Sequence, residues 1–137
     1  NNIYKFKKNI SINYQNDGKS EYLINGIENR IEQIIANLLD NSISFSDDGS
    51  EVIVNVSNGL EKKVIVKILD EGQGFKEKDT SKIFNRFYSN RPENFGEHSG
   101  LGLNIVKNLV ELHDGKIEAS NRLDKQGALI EIKFPSL

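Results

Sequence analysis

The sequence predicts an α+β fold, a two-layer α/β sandwich whose mixed, mostly antiparallel sheet is covered on one face by helices. Three observations carry that expectation. Runs of β-branched residues recur along the chain, and the clearest two, residues 51–58 and 62–70, flank an Asn58-Gly59 turn signal as adjacent antiparallel strands would. Two other stretches, 27–46 and 101–113, repeat apolar residues at helical spacing. The order β-β-α-β-β, a long polar segment, then α-β-β requires no parallel βαβ unit and argues against a doubly wound sheet.

At 137 residues the chain reads as one domain. That length buries roughly two-thirds of the unfolded surface. The 18 basic and 20 acidic side chains give a net charge of −2, which offers no basic footprint for nucleic acid or an anionic membrane. There is no cysteine, so disulfides and thiolate metal sites are excluded. No apolar run reaches the length of a membrane span, and no signal peptide opens the chain. The expected behaviour of this piece by itself is that of a soluble monomer without direct membrane contact. Asn1 stands where a start methionine would, which reads as a domain excised from a longer protein or a processed chain.

Residues 1–8, NNIYKFKK, read as a connector or a first strand. Ile10, Ile12 and Tyr14 alternate with polar residues, the pattern of a half-buried strand. Asn16-Asp17-Gly18 signals a turn, and 21–24 reads as the returning arm of a hairpin. Asn25-Gly26 leads into the first helix, IENRIEQIIANLLDNSISFS, whose core stripe is Ile31, Ile34, Ile35, Leu38 and Ser42. After the strand pair comes a polar, weakly periodic segment, 76–99, interrupted by KIFNRFY at 82–88. A segment of this length inside a compact domain reads as a lid, with 89–99 expected to be mobile. The second helix carries the stripe Leu101, Ile105, Val106, Leu109, Val110 and His113, and Gly115 is expected as its C′ residue. Residues 116–120 and 129–134 form a closing strand pair, with 124–127 in their connection and Pro135 ending the sheet.

Asn37 and Asn41 lie one helical turn apart on the same side. Asn competes with the helix backbone for hydrogen bonds, so two stacked mid-helix carry a local cost. A metal ion with phosphate oxygens would account for them; two solvated surface residues are the plainer alternative. Asp70 closes an apolar strand and precedes Gly72 and Gly74. A carboxylate there can accept hydrogen bonds from an amine-bearing ring while the glycines admit close backbone, although a solvated Asp in an ordinary turn explains the same residues. Gly96, Gly100 and Gly102 lead into the second helix, whose free N–H groups and positive dipole end suit phosphate; a flexible helix entry would use the same glycines. Neither the dinucleotide fingerprint nor G-x-x-x-x-G-K-[ST] occurs, and the eukaryotic protein-kinase motifs are absent. Phe84, Phe87 and Tyr88 suit docking of a polar segment onto the body, and Arg86 between them either meets a phosphate or faces solvent. His98 and His113 have no Ser, Cys or second His at triad or metal spacing. Structural roles are expected, for His113 a place in the last helical turn.

In that order, NLLDN, DEGQGF, KIFNRFY, SGLGLNIV and QGALIEIKFP resemble the N, G1, F, G2 and G3 boxes of bacterial sensor histidine kinases. From Ile10 to Pro135 the chain resembles their catalytic ATP-binding domain, in the superfamily shared with gyrase and MutL. The stretch FYSNRPENFGEHSGLGL resembles a proteobacterial subgroup related to the ChvG-type envelope sensors.

The resemblance implies binding of ATP with Mg²⁺, Asn41 serving as the Mg²⁺ ligand and Asn37 lying beside it on phosphate or metal. It implies that Asp70 receives the adenine amino group, with Gly72, Gly74 and Phe75 shaping the base pocket and Phe45 near the ring. Gly100, Leu101, Gly102 and Leu103 would meet the phosphates, Arg86 would reach them, and Phe84 and Phe87 would anchor the lid. Three positions depart from the pattern: Ser44 and Ser89 stand where basic residues are common, with Arg91 a candidate substitute, and Ala128 stands where Thr is frequent. In gyrase-like ATPases a Glu at the place of Asn37 activates water, and Asn cannot act as a base. ATP would then be held without fast hydrolysis, its γ-phosphate oriented for a His on a separate, upstream dimerisation domain. No H-E-x-x-R/K-T-P-like segment is present in these residues. From that His the phosphoryl group would pass to a response regulator. The resemblance also implies a cytoplasmic domain of a homodimeric inner-membrane sensor. The alternatives are a degenerate nucleotide-binding module that only regulates a partner, to which the three departures point, and a serine kinase of the anti-sigma type, whose lid is usually shorter and lacks the aromatic box.

Overall fold

The computed structural model describes residues 9–18, 22–76, 80–85 and 101–137. Its elements are β1 (Ser11–Asn16), α1 (Glu28–Phe45), β2 (Glu51–Gly59), β3 (Lys63–Leu69), a short 3-10 helix (Thr80–Phe84), α2 (Leu101–Leu112), β4 (Lys116–Asn121) and β5 (Ala128–Pro135). The five strands form one sheet in the order β1-β2-β3-β5-β4. β1 pairs parallel with β2, and every other neighbouring pair is antiparallel. Val52 and Val54, Val64, Val66 and Ile68, and Ile130, Ile132 and Phe134 are all buried, so β2, β3 and β5 turn the same alternate residues inward. Ile34 and Leu38 of α1 and Val106 and Val110 of α2 complete that core with no exposure at all. Truncating any of the larger ones to Ala would cost about 2–5 kcal/mol. The two-layer α+β sandwich is thus the observed fold.

The turn at 16–18 forms, with Gly18 at φ 85 and its N–H donating 2.9 Å to the Asn16 side chain. The hairpin does not. Ser11 N–H donates to Ser50 O at 3.2 Å and sets β1 against β2, so β1-α1-β2 is a parallel crossover, contrary to expectation. Residues 22–24 serve elsewhere: Ile24 bridges Ser136, and Leu137 N–H donates to Leu23 O at 2.9 Å. Ile12 and Tyr14 are also more exposed than the half-buried reading held, because β1 is an edge strand. The β2–β3 turn falls later than Asn58-Gly59, with Glu61 and Lys62 at φ 59 and 56. Gly59 stays in β2, where a Cβ would come 2.4 Å from Ile65 Cδ1.

On α2 Leu103 is buried, and Ile105 faces out at 37 % exposure. The left-handed residue after α2 is Asp114 (φ 59), with Gly115 N–H closing back on Val110 O at 2.9 Å in a Schellman-type end. Gly115 is needed for space, since a Cβ there would meet Lys133 O at 2.9 Å. His113 lies buried at the helix end. Its Nδ1–H donates to Leu109 O (2.8 Å) and its Nε2 accepts the Ile27 N–H (3.1 Å). Ile27 begins α1 without a side-chain cap, so His113 supplies one from the other helix. Within the segment 76–99, residues 80–84 form the 3-10 helix and sink Ile83 and Phe84 into the core. The expected mobility of 89–99 lies outside the described residues.

Candidate functional site

The second half of α1 is a polar wall. Asn41 is 4 % exposed and Asn37, one turn earlier, is half-buried. Ser44 donates 2.7 Å to Asn41 O, and Ser46 donates 2.7 Å to Ser42 O. Such back-bonding satisfies small hydroxyls inside a helix face. Ser44 is consequently a buried, internally bonded residue.

Beyond the end of α1 the wall meets Asp70, which is 3 % exposed. Asp70 Oδ1 accepts the N–H groups of Gly72 (2.9 Å) and Ala128 (3.1 Å), and its own N–H donates to Ala128 O at 3.0 Å. Ala128 thus acts through its main chain, which a missing Thr hydroxyl does not alter. Burial is the dominant influence on the Asp70 carboxyl and raises it above its ordinary 3.8; the two N–H donors and the charge of Arg122 act in the opposite direction.

The glycines after Asp70 are shaped by the protein's own backbone. A Cβ on Gly72 would lie 2.3 Å from Phe45 O, so the last carbonyl of α1 sits against the turn. This contact brings Phe45, Gly72 and Asp70 together. Gly74 holds φ 79 and is crowded by the side chain of Asn121. Asn121 grips the next residue at both ends, accepting Phe75 N–H at 2.6 Å and donating to Phe75 O at 3.1 Å. Phe75 itself packs half-buried against the core.

Further residues expected from the sequence lie at the start of α2. Among the described residues, a Cβ on Gly102 would meet nothing within 4 Å. Leu103 points into the core. Leu101 opens the helix. Arg86, Phe87 and Gly100, together with His98, lie outside the described residues. Phe84 is buried, its carbonyl accepting from the Asn104 amide at 3.3 Å. The described clefts of about 420 and 630 Å³ share no residue with this corner.

A buried carboxylate at a strand end and an Asn-bearing helix beside it can be compared with known proteins. The profile of the histidine kinase-, DNA gyrase B-, and HSP90-like ATPases matches residues 26–137. The chain belongs to that family. Sensor protein ChvG of Agrobacterium fabrum is 38 % identical over 135 residues, an alignment covering 93 % of this chain and 22 % of ChvG. The catalytic domain of histidine kinase ThkA in a nucleotide-free form superposes with a TM-score of 0.78 at 27 % identity, over 98 % of this chain and 82 % of that one. Full-length ShkA in complex with AMPPNP gives a TM-score of 0.77 at 25 % identity, over 93 % of this chain and 26 % of ShkA. The chain spans about a fifth of the length of the curated relatives it first matches. It is an ATP-binding domain of the sensor-kinase type. No helix among the described residues is long and apolar enough to cross a membrane.

Several residues of the corner were not singled out from sequence. Arg122, Asn121 and Glu71 surround Asp70 and its turn, and Gly127 packs against it so closely that a Cβ would lie 2.0 Å from Asp70 O. Arg122 and Asn121 stand 52 and 46 residues from their partners, and no local pattern announces them.

Proposed function

We infer that this domain binds Mg-ATP and presents the γ-phosphate to a histidine on another domain of its own sensor kinase, from which a response regulator is charged. The observation that carries the reading is the Asp70 corner: a buried carboxylate whose two backbone donors both use Oδ1. That arrangement orients Oδ2 for a donor such as the adenine amino group. Gly72 and Gly74 hold the turn, and Phe45 stands at its edge.

On the phosphate side, Asn41 and Asn37 offer carboxamide oxygens, hard donors that fit Mg²⁺ when the nucleotide supplies further oxygens. Among the described residues no cluster of three His, Cys, Asp or Glu could hold a metal by itself, which matches an ion that arrives with ATP. When bound, Mg²⁺ neutralises charge on the phosphate oxygens. Asn37 offers no base to activate water, so the site holds ATP rather than hydrolysing it. The N–H groups at the start of α2 receive phosphate oxygens. Arg86 and Gly100 would act there too, and residues 76–99 would form the lid over one domain, 1–137. The location proposed is the cytoplasmic side of a dimeric membrane sensor.

The test is calorimetric titration with Mg-ATP. The parent chain is expected to bind and Asp70→Asn to lose binding; unchanged affinity in that variant would sink the base-site assignment. The chain alone is expected to take no label from γ-labelled ATP. Ser44, buried and bonded inward, favours the second reading, a regulatory nucleotide-binding module. That reading is adopted if the full-length protein binds ATP and never phosphorylates its histidine.

A further inference from the structure

The turn between β4 and β5 wraps the main chain of Asp70, and its first residue is a buried cation. The Arg122 side chain is only 4 % exposed. Its Nη1 donates to Asp70 O at 3.1 Å, while Nε and Nη2 chelate Asp124 at 3.0 and 2.8 Å. The Arg122 N–H also donates to Gly127 O at 2.9 Å, closing the turn whose next residue, Ala128, bonds Asp70 through both N–H and C=O. A planar fork fixed at both ends loses little freedom on forming these bonds. Asp124 is 63 % exposed, so it can hold the guanidinium without being desolvated itself.

We propose that Arg122, held by Asp124, is a positioning residue for the nucleobase carboxylate: it locks the Asp70 backbone so that the carboxylate faces the base. The step rests on the base-site reading above. The charge of Arg122 also acts with the Gly72 and Ala128 N–H donors against the upward push of burial on that carboxyl. Among the described residues, the other charged groups at this corner are Glu71 and Lys125, which pair with one another at 2.9 Å, and Asp124. Of the two cations, Arg122 is the one bonded to Asp70 and the one whose charge lowers it.

The experiment uses the 137-residue chain with Arg122→Gln and Arg122→Lys. The Asp70 carboxyl is followed by carbon NMR across pH without nucleotide, and Mg-ATP affinity is measured by calorimetry over the same range. In Arg122→Gln the Asp70 midpoint is expected to rise, the acid loss of ATP affinity to move up with it, and affinity at neutral pH to fall roughly tenfold. Arg122→Lys keeps the charge and loses the fork, so its midpoint should stay with the parent while its affinity still drops. Should the Gln variant not fold, the Lys variant decides: affinity equal to the parent overturns the positioning role. An Asp70 midpoint that does not move in folded Arg122→Gln overturns the proposal as well. A midpoint that moves while ATP affinity stays flat with pH upholds the hold on Asp70 and overturns instead the base-site reading.

Discussion

The two walls of the candidate site satisfy their polar groups in opposite ways. On α1, buried hydroxyls bond back to carbonyls three and four residues earlier, Ser44 to Asn41 and Ser46 to Ser42. At Asp70, partners arrive from 52 and 58 residues away, Arg122 and Ala128. The first wall is held by the helix that carries it. The second exists only when β3, β5 and the β4–β5 turn have closed on one another. Local satisfaction makes a surface that tolerates change, and long-range satisfaction makes one that transmits it. Mutations on the Asp70 side should therefore alter both binding and stability, whereas those on the Asn side should alter binding more than stability.

Asp70→Asn is expected to have the largest effect and to move the two properties in opposite directions. Burial raises the Asp70 carboxyl above its ordinary 3.8. A folded-state value above the unfolded one means that the folded chain holds the proton more tightly. The stability from that proton is complete below 3.8 and is lost as pH rises through the raised value. Above the raised value the ionised group therefore destabilises the nucleotide-free fold relative to its protonated form. Asn keeps a carbonyl oxygen for the Gly72 and Ala128 N–H groups and carries no charge. Calorimetric scans should show a higher Tm than the parent at neutral pH, with the gap closing toward acid, while ATP binding is lost. A lower Tm at neutral pH would show that the Asp70 corner is a stabilising network and not a strained one.

Gly72→Ala comes next. Its Cβ would lie 2.3 Å from Phe45 O, a backbone atom that can yield only by shifting the end of α1. The expected loss is about 2–3 kcal/mol of stability by denaturant titration, together with weaker ATP binding. The two walls meet at this contact, so a variant that loses stability but keeps full affinity would show them to be uncoupled. Asn41→Ala addresses the α1 wall alone. Mg-ATP affinity should fall at least about tenfold, toward the value measured without Mg²⁺, with Tm changing far less than in Gly72→Ala. Equal Mg²⁺ dependence in variant and parent would remove Asn41 from the metal.

The same contrast explains what could be read from the chain before folding. Asn37 and Asn41 announce themselves because their relation is local, one helical turn. The two-layer fold was readable because β-branched runs and helical stripes are local too. The β1–β2 pairing was not, since Ser11 N–H finds Ser50 O across a whole helix and the intervening turn suggested a nearer partner. Arg122 was invisible for the same reason: an arginine beside a turn looks solvated until the strand behind it is placed. His113 is an intermediate case. Its place in the last helical turn was legible, but its second bond, to the first N–H of α1, was not.

The smallest expected effect belongs to the other cation of the corner. Lys125 pairs with Glu71 at 2.9 Å, as close as Arg122 to Asp124, yet its side chain is 52 % exposed against 4 % for Arg122. An ion pair in solvent is screened and spends side-chain entropy to hold its geometry. Glu71 also retains a second anchor, accepting the Glu51 N–H at 2.7 Å. Lys125→Ala should leave Tm unchanged within error and ATP affinity within about twofold, with the Glu71 carboxyl moving up toward its ordinary value as the lysine that lowers it is removed. Measured beside Arg122→Gln, this variant separates charge near the site from charge built into it. If Lys125→Ala lowered ATP affinity as much as Arg122→Gln, the corner would be responding to net charge alone, and the buried fork would have no special place in it.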